Sequence, residues 1–168
     1  KTIIAGYPWF GDWGRDTFIA VRGLCLAAER YAEASEILLG WADSVRGGLL
    51  PNRFADDPNE PAEYNSVDAA LWYVLAIGEL IERHRALAPS DRRALEHAAE
   101  QVVAGHLRGT LHGIGVGSDG LLAAGAPGLQ LTWMDAKVGE RVITPRSGKP
   151  VEVQALWLNA LALLERLG

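Results

Sequence analysis

Residues 66–85 read SVDAALWYVLAIGELIERHR, and they decide the fold class. An acidic residue, Asp68, stands near the front. Val67, Ala69, Ala70, Leu71, Trp72, Tyr73, Val74 and Leu75 then place apolar side chains in nearly every direction around a 3.6-residue turn. A helix without a polar stripe is buried on all sides. The pattern therefore predicts a core helix from Ser66 to about Arg85.

Two other segments share this character. One runs from Asp16 to about Arg30, with Phe18, Ile19, Val21, Leu24, Cys25 and Leu26 on most of its faces. The other runs from about Val151 to Leu167. There Glu152 precedes Ala155-Leu156-Trp157 much as Asp68 precedes Ala70-Leu71-Trp72, with one extra residue. Between these core helices lie two half-exposed ones. From Tyr31 to about Arg46, Ile37, Leu38, Trp41 and Val45 oppose Glu33, Glu36, Asp43 and Arg46, and Gly47-Gly48 is expected to stop the helix. From 91 to 108, with Ser90 as the expected N-cap, Arg92, Arg93, Glu96, Glu100 and Gln101 form a polar face.

The order is thus buried, half-exposed, buried, half-exposed, buried. It forms a weak internal repeat of inner and outer helices. The loops between them are distinctive. Residues 1–15 are rich in aromatics and glycine, 49–65 in proline, and 132–150 are polar. Residues 109–131 hold short apolar pieces among glycines and suggest a small hairpin. Pattern alone leaves an α/α toroid and an irregular helical bundle both open.

Composition excludes several classes. Of 168 residues, 49% are apolar and 22% charged, an ordinary globular balance rather than a disordered one. The apolar C-terminal run is broken by Asn159, Glu165 and Arg166, so no membrane partner is expected. A net charge of -5 gives no basic field for nucleic acid. A single cysteine, Cys25, cannot form an internal disulfide, which fits a reducing compartment such as the cytoplasm. The four histidines lack metal-ligand spacing, and no metal or cofactor is expected. Gly115, Gly117 and Gly120 match a dinucleotide-binding pattern by letter, but they read better as a turn. The chain starts at Lys1 and its sole methionine is Met134, so a piece of a longer protein is expected.

Each core helix begins with a carboxylate: Asp16, Asp68 and Glu152. Asp135 occupies a loop. Capping would explain any one of them, since acidic side chains favour helix N-termini. Four carboxylates beside aromatic or amide side chains also suit a sugar. Carboxylates and arginine meet hydroxyls, tryptophan meets C–H faces, and glycosidic cleavage needs two carboxyl groups.

The stretches GYPWFGDWGRDTFIA (6–20), LLPNRF (49–54), EYNSVDAALW (63–72), GLQLTWMDAKVG (128–139) and TPRSGKPVEVQALWLNAL (144–161) resemble the C-terminal amylo-α-1,6-glucosidase domain of glycogen debranching enzymes. The resemblance runs from about Gly6 to Leu164. It implies an all-α fold, a partial (α/α)6 toroid with a small β-hairpin insertion, residues 1–168 being part of one catalytic domain. It implies an inverting hydrolase acting on α-1,6-linked glucose stubs of glycogen or a related α-glucan. Carried over, Asp135 matches the general acid. Arg15 and Asp16 resemble a pair that binds terminal glucose hydroxyls, and Trp13 and Trp133 would wall the sugar. Tyr64, Asn65, Asp68 and Glu152 would line the same mouth. The family's catalytic base lies in a later loop, so these residues alone are expected to be inactive. They are also expected to expose the inner helix faces that carry Leu71, Trp72, Leu156 and Trp157. Other exo-acting α-glucosidases of glucoamylase or trehalase type, and a non-catalytic glucan-binding module, remain the alternatives.

Overall fold

The computed structural model describes residues 1–54, 60–125, 128–139 and 141–167; residues 55–59 of the expected proline-rich loop lie outside the described residues. Five α-helices carry the fold: α1 (Gly14–Val21), α2 (Tyr31–Ala42), α3 (Ala69–Arg83), α4 (Pro89–Arg108) and α5 (Val151–Leu167). A π-helical turn, Arg22–Leu26, continues α1. Two antiparallel two-stranded hairpins lie between α4 and α5: β1 (Gly115–Val116) with β2 (Leu122–Ala123), and β3 (Lys137–Val138) with β4 (Arg141–Val142).

α3 is the hub, packing against each of the other helices. Its contacts reveal direction. Arg15 of α1 meets Asp68, and Arg22 meets Glu79, so α1 and α3 run parallel. Asp68 and Glu152 share one cavity, while Arg166 of α5 reaches Glu82, so α3 and α5 also run parallel. The half-exposed helices run the opposite way. The Tyr73 hydroxyl donates to the Leu38 carbonyl at 2.8 Å and Tyr31 stacks on His84, which sets α2 antiparallel to α3. His106 faces Trp157, while Glu96 and Glu100 lie beside Leu164 and Leu167, which sets α4 antiparallel to α5. Three parallel inner helices backed by two antiparallel outer ones bring the inner N-termini to one end.

Close packing within the inner layer needs glycine. A Cβ at Gly78 of α3 would fall 1.7 Å from Leu163 Cδ1 of α5. The core is continuous, with Phe18, Leu26, Leu38, Leu71, Tyr73, Ile77, Leu80, Leu95 and Trp157 fully buried.

Several boundaries differ from the sequence reading. α1 starts two residues before Asp16, and its last turn is π-helical. That turn brings Leu26, five residues after Val21, into the core beside it. α2 ends at Ala42 rather than near Arg46. Gly47 and Gly48 do not cap it: with positive φ they make the tight turn joining Arg46 to Leu49, and Gly48 abuts the Gly105 backbone. α4 is entered through Pro89 at its first position, where proline's fixed φ suits a helix start, so Ser90 is not the cap. The hairpin β1–β2 falls within 109–131 as expected, and Gly117–Gly120 is its turn. The hairpin β3–β4 within 132–150 had no alternating apolar pattern to announce it. The inner faces differ in part from expectation. Leu71, Leu156 and Trp157 are buried and Trp72 is only partly exposed, whereas Ile19, Leu24 and Leu158 are exposed.

Candidate functional site

The N-terminal ends of α1, α3 and α5 enclose a cavity of about 390 Å³. Arg15 and Ile19 come from α1, Trp72 from α3, and Glu152, Ala155 and Leu156 from α5. Asp68 stands at the head of α3, and Trp133 comes from the loop before β3. Ile19, Trp72, Ala155 and Leu156 make the wall almost wholly apolar, because its charged groups are consumed by pairing.

The first pair is a fork. Arg15 Nε donates to Asp68 Oδ2 and Nη2 donates to Oδ1, both at 2.7 Å. The side chains are 17% and 3% exposed. Asp68 occupies the N-cap position of α3 but makes no cap hydrogen bond. Ser66 takes that role: its hydroxyl oxygen accepts from Ala69 N–H at 3.2 Å while it donates to Asp68 Oδ1 at 2.7 Å. Asp68 is thereby released from capping and held for Arg15.

The second pair is formed by Arg146 and Glu152. Arg146 Nη2 donates to Glu152 Oε2 at 3.0 Å, and Nη1 donates to Oε1. The guanidinium holds the Glu152 carboxyl below the usual carboxylate range against the opposing pull of desolvation, and the Trp133 indole adds a smaller hydrogen bond. Arg146 is positioned by a loop pinned at Gly148 to Ala124, beside the first hairpin.

Asp135 lies in the same corner but does not line the cavity. Its Oδ1 accepts from Thr132 N–H at 2.8 Å and from the Thr132 hydroxyl at 2.7 Å. Its Oδ2 accepts, among the described residues, one hydrogen bond, from Leu131 N–H at 2.8 Å. The Leu131 carbonyl accepts from Val67 N–H, which ties this turn to the start of α3. The four sequence-selected carboxylates therefore occupy one end of the helix array. Asp16 is exposed in the first turn of α1, where its charge complements the helix dipole.

The aromatic candidates separate. Trp133 lines the cavity and is 59% exposed. Trp13 heads α1 outside the cavity wall, edge-on to Phe10 and beneath the Arg53 guanidinium. Tyr64 is committed elsewhere, its hydroxyl donating to the Ser44 carbonyl at 2.9 Å. Asn65 Oδ1 is buried with no hydrogen-bond partner among the described residues, as are Asn52 Oδ1 and Gln130 Oε1. All three belong to loops at this end: Gly14 N–H donates to the Asn52 carbonyl, and Gln130 adjoins Leu131.

Sequence reasoning passed over Arg146, Ser66 and Arg22. Arg146 stands six residues before Glu152, across a proline and outside helical spacing. Ser66 is two residues before Asp68, a spacing at which a short hydroxyl bonds locally. Among the described residues, no group of three or more His, Cys, Asp or Glu is placed to hold a metal, and no helix is long and apolar enough to cross a membrane.

The chain is similar to the glycogen debranching enzyme of Saccharomyces cerevisiae, at 34% identity over 85 residues. That match covers 48% of this chain and 5% of the yeast enzyme, so the chain spans a small part of that relative. A family model described as amylo-alpha-1,6-glucosidase matches residues 1–168, and the chain belongs to that family.

Proposed function

We propose that these residues supply the sugar-binding end and the general acid of an inverting glycoside hydrolase that removes α-1,6-linked glucose from glycogen or a related α-glucan. The three parallel inner helices are, on this reading, part of an (α/α)6 toroid, and the cavity at their N-termini takes the terminal glucose. Trp72 and Trp133 offer apolar faces to its C–H surfaces. Arg15, Asp68 and Glu152 face its hydroxyls from the cavity wall, and Asp16 stands exposed at the same end.

Asp135 is the proposed acid, and one observation carries that choice. Among the described residues its Oδ1 is occupied twice but its Oδ2 once, which leaves a lone-pair position on Oδ2 to carry the proton passed to the leaving oxygen. The base that activates water is assigned to another part of the full-length protein. Asp68 and Glu152 are each locked in an arginine fork, so neither is free to take a proton from water. Inversion requires the two carboxyl groups about 6.5–9.5 Å apart.

Asp135→Asn in the full-length protein tests the acid. Loss of general acid catalysis should lower hydrolysis of an α-1,6-glucosyl stub by about 10²–10⁴-fold. α-Glucosyl fluoride, whose leaving group needs no proton, should still be hydrolysed. Equal loss on both substrates would reduce Asp135 to a loop-shaping residue. Full activity on the stub would remove the assignment altogether.

A further inference from the structure

Beyond the Arg15–Asp68 fork, the same faces of α1 and α3 carry a second pair. Arg22 lies seven residues after Arg15, at the first position of the π-helical turn, and Glu79 lies seven residues after Trp72. Arg22 Nε donates to Glu79 Oε1 at 2.8 Å, and Nη2 donates to the same oxygen. The Arg22 guanidinium carbon stands 5.3 Å from the centre of the Trp72 ring. One arginine thus touches both a carboxylate across the helix pair and an indole that walls the cavity.

An indole half open to a cavity swings about two side-chain torsions unless something fixes it. A guanidinium stacked on one face removes that freedom and leaves the rest of the ring to the cavity. The π-helical turn contributes as well. Such turns are uncommon and concentrate at functional positions. Here the Ala27 N–H bonds to the Arg22 carbonyl at 2.9 Å, so the turn opens at the residue that meets Trp72.

We propose that Arg22 is a positioning residue of the glucan site: anchored by Glu79, it sets the plane of the Trp72 ring that walls the cavity. This rests on the reading of the cavity as the glucose site. Arg22 touches no substrate and transfers no proton; it acts through the indole.

The test uses the full-length protein and an α-1,6-glucosyl stub, with KM, kcat and melting temperature measured on each variant. Arg22→Leu combined with Glu79→Leu removes both charges, so neither is left unpaired. This double variant should raise KM about 10-fold with kcat changed less than about twofold, because a wall contact acts equally in ground and transition states. Arg22→Lys keeps a cation over the ring but loses the planar fork, and should fall between the parent and the double variant. An unchanged KM in the double variant, with Trp72→Ala raising KM, would overturn the role of Arg22 and leave the cavity reading standing. An unchanged KM in Trp72→Ala would overturn both. A double variant that loses kcat at constant KM would also overturn the proposal.

Discussion

Two ion pairs of one chemistry behave as different objects in this molecule. At the inner mouth, Arg15 and Asp68 lie 53 residues apart in sequence and meet in a two-pronged fork at 2.7 Å, with little of either side chain in water. On the outer face of α4, Arg92 and Glu96 lie one turn apart and meet at 2.8 Å, with side chains 46% and 23% exposed. The bond lengths are nearly equal. What differs is what each charge meets when its partner is lost: water in α4, the protein interior at the mouth. Desolvation, not the contact itself, separates a pair that matters from one that does not.

The largest expected effect follows directly. Asp68→Ala strands a half-buried guanidinium and should destabilise the protein by about 3–5 kcal/mol in urea unfolding. Replacing both members, Arg15→Leu with Asp68→Leu, should cost much less, because no charge is left uncompensated. A cost for Asp68→Ala no larger than that of a surface pair would erase the contrast. Activity reports separately on the fork. Arg15→Lys in the full-length protein should lower kcat/KM by about 10²-fold if the guanidinium also positions sugar. A change below about threefold would leave Arg15 a purely structural partner.

Glycines sharpen the same inner-versus-outer contrast at the next scale. Gly78→Ala drives a methyl group into Leu163 across the α3–α5 contact and should cost about 1–3 kcal/mol. Gly40, exposed on α2, has nothing within 4 Å of an added Cβ. Gly40→Ala should instead stabilise by about 0.5–1 kcal/mol through helix propensity and reduced unfolded-state entropy. Thermal unfolding of the two variants side by side gives opposite signs or refutes the layer assignment.

The layers themselves were legible because burial writes itself into periodicity. The all-round apolar start of α3 and the one-sided pattern of α2 predicted inner and outer helices, and both occupy those places. The carboxylates at helix starts were legible for a similar reason, since each marks an N-terminus, and parallel helices share an end. Partnership was not legible. Arg146 finds Glu152 through a loop, and Arg22 finds Trp72 across 50 residues, so neither obeys a local spacing. The π-helical turn was equally hidden, because its residues are as apolar as those of an ordinary helix. The hairpin at Lys137–Val142 rests on backbone pairing and the Thr144 hydroxyl, which receives Ala136 N–H and donates to the Met134 carbonyl. Of the side chains expected on bare inner faces, Leu71, Leu156 and Trp157 are buried, Trp157 against His106 of α4, whereas Ile19, Leu24 and Leu158 of the same helices are exposed. Trp157 donates its indole N–H to the Gly120 carbonyl.

Acid should probe the interior before the mouth. His106 is fully buried, its Nδ1–H donates to the Val102 carbonyl at 2.8 Å, and desolvation pushes its pKa below the ordinary value of 6.5. Below that pH the unfolded chain binds a proton that the native state does not, so stability falls as pH falls. The slope approaches about 1.4 kcal/mol per pH unit until the native histidine titrates. Glu152 acts in a lower window. Its depressed value contributes stability that is complete above 4.5 and is lost as pH drops through the folded value. His106→Leu should flatten the loss between about pH 6.5 and 5 and leave the more acidic loss in place. An unchanged pH profile in His106→Leu would remove the buried histidine as its source.

The smallest effect closes the contrast with which the two ion pairs began. Glu96→Gln deletes the outer pair at nearly constant helix propensity, so the change isolates the charge interaction. An exposed pair one turn apart is worth about 0.2–0.5 kcal/mol, because water screens both charges whether or not they touch. For a chain of this size that is a melting shift of about 2 °C or less. Salt supplies the sharper reading. At 1 M ionic strength the screening length contracts to about 3 Å, and the difference between Glu96→Gln and its parent should vanish. The cost of Asp68→Ala should largely persist there, because mobile ions have little access to a fork whose side chains are 17% and 3% exposed. A salt-sensitive Asp68→Ala, or a salt-insensitive Glu96→Gln, would show that sequence separation and not burial distinguishes the two pairs.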